Sequence, residues 1–273
     1  VPPAVAPPRP TRPAKTPDEQ NDAAWKRARS GLGTVLVGLF WFALLGFIPA
    51  GKIAYERFNG PLPKGDGADW VKIDGVLNTP GQDAIQLDKS EMLDILLYGV
   101  PVLLGGLALS IGRVTAGAAP RASGAKGLFA FSGIMTLITV AGYFTYVVCQ
   151  RVGYGEVREY GLWAARLGAA LGEFWFLLAL SASAATLRRP AAVRTVGMVS
   201  LVIGLGVILY FFGWDLLLAK LGPEIGRPKH PEPGSDWLFY EAAALLLGWL
   251  VVIGTYWRAV RGVRTAITEY VRD

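Results

Sequence analysis

The chain has 273 residues, 52% hydrophobic and only 18% charged, with a formal net charge of +6. Soluble domains average about 25% charged residues, and here the mean hydropathy is +0.38 with the apolar residues gathered in long blocks. These features exclude a disordered chain and an ordinary soluble domain of this length. The basic surplus flanks the apolar blocks, so membrane topology accounts for it and nucleic acid is not an expected partner.

Residues 1–20 hold prolines at 2, 3, 7, 8, 10, 13 and 17. They read as an extended, disordered linker with no core-forming residues. A linker joins two things, and the first residue is Val, so a cytoplasmic module upstream is expected. Residues 21–31 read as a short basic juxtamembrane helix. Trp25 is expected at headgroup depth, with Lys26, Arg27 and Arg29 against lipid phosphates. A solvated extension of the first span is the equal alternative.

Six apolar blocks follow, at 32–50, 92–111, 128–149, 162–187, 196–219 and 237–257. A helix needs about 20 residues to cross a hydrocarbon core, and each block qualifies. The blocks are continuous and do not alternate, which argues against a β-barrel. The fold expected is therefore an all-α bundle of six transmembrane helices.

The segment 51–91 between the first two blocks is too long for a passive connector. It carries turn signals at Asn59-Gly60-Pro61, Asp66-Gly67, Asp74-Gly75 and Thr79-Pro80-Gly81. Val71 and Ile73 alternate with polar neighbours, as do Ile85 and Leu87, which predicts two short strands and a small extracytoplasmic loop domain. It reads as a folded excursion over the helix ends, with a ligand-binding cap as the alternative. Its aspartates do not match a calcium-loop spacing.

Orientation follows from the loops. The N-terminal arm has six Lys/Arg, the 2–3 loop has Arg113, Arg121 and Lys126, the 4–5 loop has Arg188, Arg189 and Arg194, and the tail has four Arg. With six spans these segments share one side, so both termini are expected in the cytoplasm and the protein in the cell (inner) membrane.

Within the second block, Gly99 and Pro101 predict a helix kink, because proline removes a backbone donor. In the fourth, Gly168 and Gly172 have the spacing that lets helices approach closely, within one chain or between copies. The tail, 258–273, places Val260, Val263, Ile267 and Val271 on one stripe beside Arg258, Arg261 and Arg264. It reads as a basic amphipathic helix on an anionic inner leaflet, with a partner-binding helix as the alternative.

Four ionisable residues fall inside the blocks: Arg166, Glu173, Asp215 and Glu241. Such groups cost about 2.5–3.5 kcal/mol at a bilayer centre and face the bundle interior, a partner charge or a wet cavity. Counting along the helices puts Arg166, Asp215 and Glu241 at one level near the outer interface, where they can form an ion network. Glu173 falls two turns deeper, near mid-membrane, where a carboxyl could stay neutral and pair with nothing.

No catalytic motif stands out. One histidine, His230, and one cysteine, Cys149, cannot build a paired-thiol zinc site, a disulfide or a helix-borne zinc protease. No phosphate-loop motif is present, and no metal or cofactor is expected. Three function classes remain: a non-enzymatic scaffold or sensor-like protein, favoured by linker and tail; a small-solute or proton-coupled transporter using Glu173; and a lipid-acting enzyme using outer carboxylates, for which no base–nucleophile pair is visible. The expected partners are anionic lipid and a second copy or another membrane protein.

Overall fold

A computed structural model describes residues 17–59, 70–73, 85–152, 154–208 and 235–272. Six helices dominate: α1 (Pro17–Asn59), α2 (Lys89–Ala116), α3 (Ala125–Val152), α4 (Gly155–Thr186), α5 (Pro190–Ile208) and α6 (Asp236–Tyr270). Five of them, all but α5, are long and apolar enough to cross a membrane. The architecture is compatible with a multi-pass membrane protein.

The helices pack in chain order, each on the next, and α6 closes the ring against α1. The α1–α6 pair is antiparallel. Trp25 meets Tyr270 edge-on at one end, 6.3 Å between ring centroids, and Arg57 pairs with Asp236 at 2.5 Å at the other. We call these the terminal end and the hairpin end. Helix α4 also touches α6 across the ring.

Glycine decides how closely the neighbours approach. A Cβ on Gly31 would sit 2.5 Å from the Gly112 carbonyl oxygen, and one on Gly112 would sit 2.7 Å from the Val35 nitrogen. On the α3–α4 side, a Cβ on Gly142 would lie 2.7 Å from the Gly161 oxygen. In lipid no hydrophobic drive pushes helices together, so backbone contact of this kind carries much of the association.

Helix α1 is one continuous rod, which corrects three boundaries read from sequence. The linker assigned to 1–20 gives way to helix at Pro17, and residues 1–16 lie outside the described residues. Proline suits a first helical position, and Asp18 and Glu19 complement the positive helix start. The basic segment 21–31 and the span 32–50 are the same helix. Its other end reaches Asn59, because residues 52–58 contain no Gly or Pro, and Pro49 and Gly51 are absorbed inside the helix. The excursion between helices therefore shrinks to 60–88. Within it, β1 (Trp70–Ile73) pairs antiparallel with β2 (Ile85–Asp88), Val71 opposite Leu87. These are the two strands that the alternation marks.

The tail is also corrected. Residues 258–270 continue α6 without a break, and their stripe does not rest on a leaflet. Val260 and Val263 are fully buried, and Ile267 nearly so, in one core with Trp25, Ala28 and Leu32 of α1. At 1.5 Å per residue, α6 is about 52 Å long and α1 about 64 Å, against a hydrocarbon core of about 30 Å. Both must overhang, and at the terminal end the two overhangs bury each other's apolar faces. Trp25, expected at lipid headgroups, is inside that pair. Lys26, Arg27, Arg258, Arg261 and Arg264 remain exposed and Arg29 is half-buried.

Candidate functional site

The chemistry of the ring interior gathers around Arg113. Helix α2 carries it one turn from its terminal-end limit, and only 1% of the residue is exposed. The neighbouring small residues let α2 sit tightly between its partners: Gly112 against α1, and Ser110, whose hydroxyl donates to the Gly133 carbonyl of α3 at 2.8 Å. The guanidinium then has nowhere to go but inward.

There it meets three helices. Arg113 Nη1 donates to Thr136 Oγ1 of α3 at 2.8 Å. Nη2 donates to Glu173 Oε1 of α4, forming an ion pair, and to Tyr256 Oη of α6 at 3.0 Å. Tyr256 Oη in turn donates to Glu173 Oε2. Both carboxylate oxygens are thus engaged by protein donors. The Phe176 ring lies under the guanidinium carbon at 4.5 Å, an attractive cation–π placement. Arg113 Nε is the one buried nitrogen of this cluster without a hydrogen-bond partner among the described residues.

Supporting bonds hold the partners in place. Thr136 Oγ1 donates to the Ser132 carbonyl, and Ser132 Oγ donates across to the Gly172 carbonyl of α4, both at 2.9 Å. A Cβ at Gly172 would lie 3.3 Å from Met135 Cβ, a tight contact with α3, and 3.5 Å from Arg113 Nη1, an ordinary one. One helix turn away, a Cβ at Gly168 would stand 2.8 Å from Thr139 Oγ1. The glycine pair therefore sits on the α3 face of α4, beside the ion pair.

Glu173 also has a second face. With 25% of its side chain exposed, it lines a cavity of about 420 Å³ between α4 and α5. Phe174, Leu177, Leu178, Val196 and Ile203 make most of the wall, and Ser181 and Ser200 add hydroxyls. The cavity is apolar, and Glu173 is the charged group on it.

Of the sequence-marked charges, Glu173 belongs to the Arg113 cluster. Glu173 is ion-paired, which corrects the reading of it as an unpaired mid-depth carboxyl. Arg166 is half-buried, with its guanidinium carbon 5.9 Å from the Trp163 ring centroid of its own helix. Glu241 is half-buried on α6. Asp215 lies outside the described residues, and so does the network proposed around it. Gly99 and Pro101 lie within α2, which stays helical through both.

Three members of the cluster were read otherwise or not at all. Arg113 was counted as a 2–3 loop charge, but helix α2 continues to Ala116 and buries it. Tyr256 stands next to the end of the sixth apolar block, where a ring is expected at an interface, yet it is 4% exposed. Thr136 carried no signal. The available clue was the run Ser110-Ile111-Gly112-Arg113, small residues running into a single Arg, which allows burial where a bulky neighbour would not.

Comparison with protein-family models, with curated proteins and with solved structures found no match.

Proposed function

We propose that the chain is a non-enzymatic, scaffold- or sensor-like integral membrane protein, held in one arrangement by the Arg113–Glu173–Tyr256 cluster. The observation that carries this reading is the double engagement of Glu173. A carboxylate that relays protons or cations must be released and reloaded during a cycle. Here one oxygen is held by Arg113 and the other by Tyr256. The cavity beside it is walled mainly by apolar groups, with Ser181 and Ser200 as its hydroxyls among the described residues. An ion pair with one partner buried and hydrogen bonds to two further helices fixes which helices are neighbours.

We also propose six crossings with both termini in the cytoplasm. Helix α4 ends at the terminal end, and α6 begins at the hairpin end beside Arg57. The chain must traverse the bundle between them, and α5 is the described part of that passage. The exposed basic residues Lys26, Arg27, Arg121, Lys126, Arg188, Arg189 and Arg194 cluster at the terminal end, which supports a cytoplasmic assignment and contact with anionic headgroups.

The test is a Glu173→Gln variant in sealed vesicles, combined with reporter fusions at both ends. The scaffold reading expects no change in proton flux relative to empty vesicles for wild type or variant. A flux present in wild type and lost in Glu173→Gln would transfer the protein to the transporter class. A reporter active outside the cell at either terminus would reverse the orientation.

A further inference from the structure

The latch described above leaves part of Glu173 unused. An ionised carboxylate offers about four acceptor positions, and Arg113 and Tyr256 take one on each oxygen. The rest faces the α4–α5 cavity. Its volume, about 420 Å³, falls within the range of about 300–1,000 Å³ usual for small-molecule sites.

The polar groups on this cavity specify what can enter. Helices α4 and α5 are antiparallel across the short Leu187–Arg189 connection, so Ser200 lies within about one turn of the level of Glu173. The Ser200 hydroxyl already donates to the Val196 carbonyl at 2.9 Å, so toward the cavity it can only accept. Glu173 accepts from both Arg113 and Tyr256 and so likewise presents acceptor oxygens. Glu173 and Ser200 thus form an acceptor pair at one level of an apolar cavity, with the Ser181 hydroxyl about two turns further along α4; the pair calls for a ligand whose head donates hydrogen bonds there and whose remainder is largely apolar.

Charge narrows the class further. Glu173 is neutralised by Arg113 directly behind it, so the site has no net charge with which to hold a cation in a low-dielectric setting. A cationic head would shed its water for no net Coulombic return. A neutral hydroxyl meets both acceptors without that cost. We infer that the cavity between α4 and α5 binds a membrane amphiphile with a neutral hydroxyl head, the head at Glu173 and Ser200 and the chain along Phe174, Leu177 and Val196. This goes beyond the scaffold reading and requires only that the helices lie in lipid.

Gly197 supplies a clean test. It lines the cavity, and a Cβ built there meets nothing within 4 Å. Gly197→Leu therefore fills the cavity without touching the Arg113 cluster. The full chain is reconstituted in phosphatidylcholine vesicles with a long-chain alcohol bearing a diazirine in its tail, then irradiated, and the labelled residues are mapped. Labelling is expected to concentrate on Phe174, Leu177, Leu178 and Ile203, and excess hexadecanol should suppress it while hexadecane does not. Gly197→Leu should lower it about tenfold, equivalent to about 1.4 kcal/mol, while lipid-facing Leu107 and Ile134 keep their labelling. Ser200→Ala should weaken it with an unchanged melting temperature in detergent. Equal competition by hexadecane would mean a groove filled by any lipid chain, and would overturn the inference. Stronger competition by hexadecyltrimethylammonium would overturn the neutral-head assignment, and labelling spread evenly over all lipid-facing helices would dispose of the site.

Discussion

Arg113 and Glu173, 60 positions apart in the chain, form an ion pair in which the arginine is almost completely withdrawn from the surface. Each stands on a different helix, and the bonds to Thr136 and Tyr256 bring in two more. Four of the six helices are therefore registered against one guanidinium. Apolar packing alone would tolerate sliding of one helix along another. A bidentate donor fork with fixed geometry does not.

Breaking this cluster on one side should cost far more than removing it whole. Arg113→Leu leaves the Glu173 carboxylate and the Tyr256 hydroxyl facing each other without a cation, a loss expected at about 3–5 kcal/mol. Arg113→Leu combined with Glu173→Leu removes both charges and should recover much of that loss. Arg113→Lys should rescue little, because an ammonium cannot serve Thr136, Tyr256 and Glu173 with the same fork. Unfolding of the purified chain in detergent, followed for these three variants and for Glu173→Leu alone, measures the coupling. Additive single and double effects would mean the pair does not act as a unit.

The glycine contacts give a second, independent prediction. Gly31→Ala and Gly112→Ala each force a Cβ into the backbone of the facing helix and should separate α1 from α2. Gly127→Ala, where a Cβ meets nothing within 4 Å, should be neutral or slightly stabilising through helix propensity. Comparing the detergent melting temperatures of the three variants tests this. A destabilisation at Gly127 as large as at Gly31 would show that the effect is not steric.

The broad architecture was legible in the sequence because membrane crossing leaves a length signal that needs no partner information. The block 128–149 falls wholly inside α3, and 162–187 falls inside α4 but for Leu187. The alternation around Val71 and Leu87 marked strands for the same reason, as a local period. What stayed hidden depended on neighbours. Arg113 looks like any basic residue closing a span, and only the α2 overrun to Ala116 and the small surrounding residues bury it. The stripe Val260–Val263–Ile267 was correctly seen as apolar, but a stripe does not name its partner. A membrane surface and the start of α1 satisfy the same pattern, and the length of α1 before its first apolar block decides between them.

That last distinction is directly measurable. If the end of α6 lay on a leaflet, Trp25 would be a surface ring and its truncation would cost little. Packed with Val260, Val263 and Ala28 in one core, and edge-on to Tyr270, Trp25 fills a site that nothing else can fill. Trp25→Ala should therefore destabilise by about 3–5 kcal/mol. Val263→Asp, which places a carboxylate in the same apolar seam, should have an effect of similar sign. Arg261→Ala, on the exposed face of the same helix, should change stability by about 0.5 kcal/mol or less. Hydrogen exchange over 22–30 and 258–268 provides the second readout: Val263→Asp should lower protection in both segments together. Loss confined to 258–268, with 22–30 unchanged, would show that the two overhangs do not hold each other.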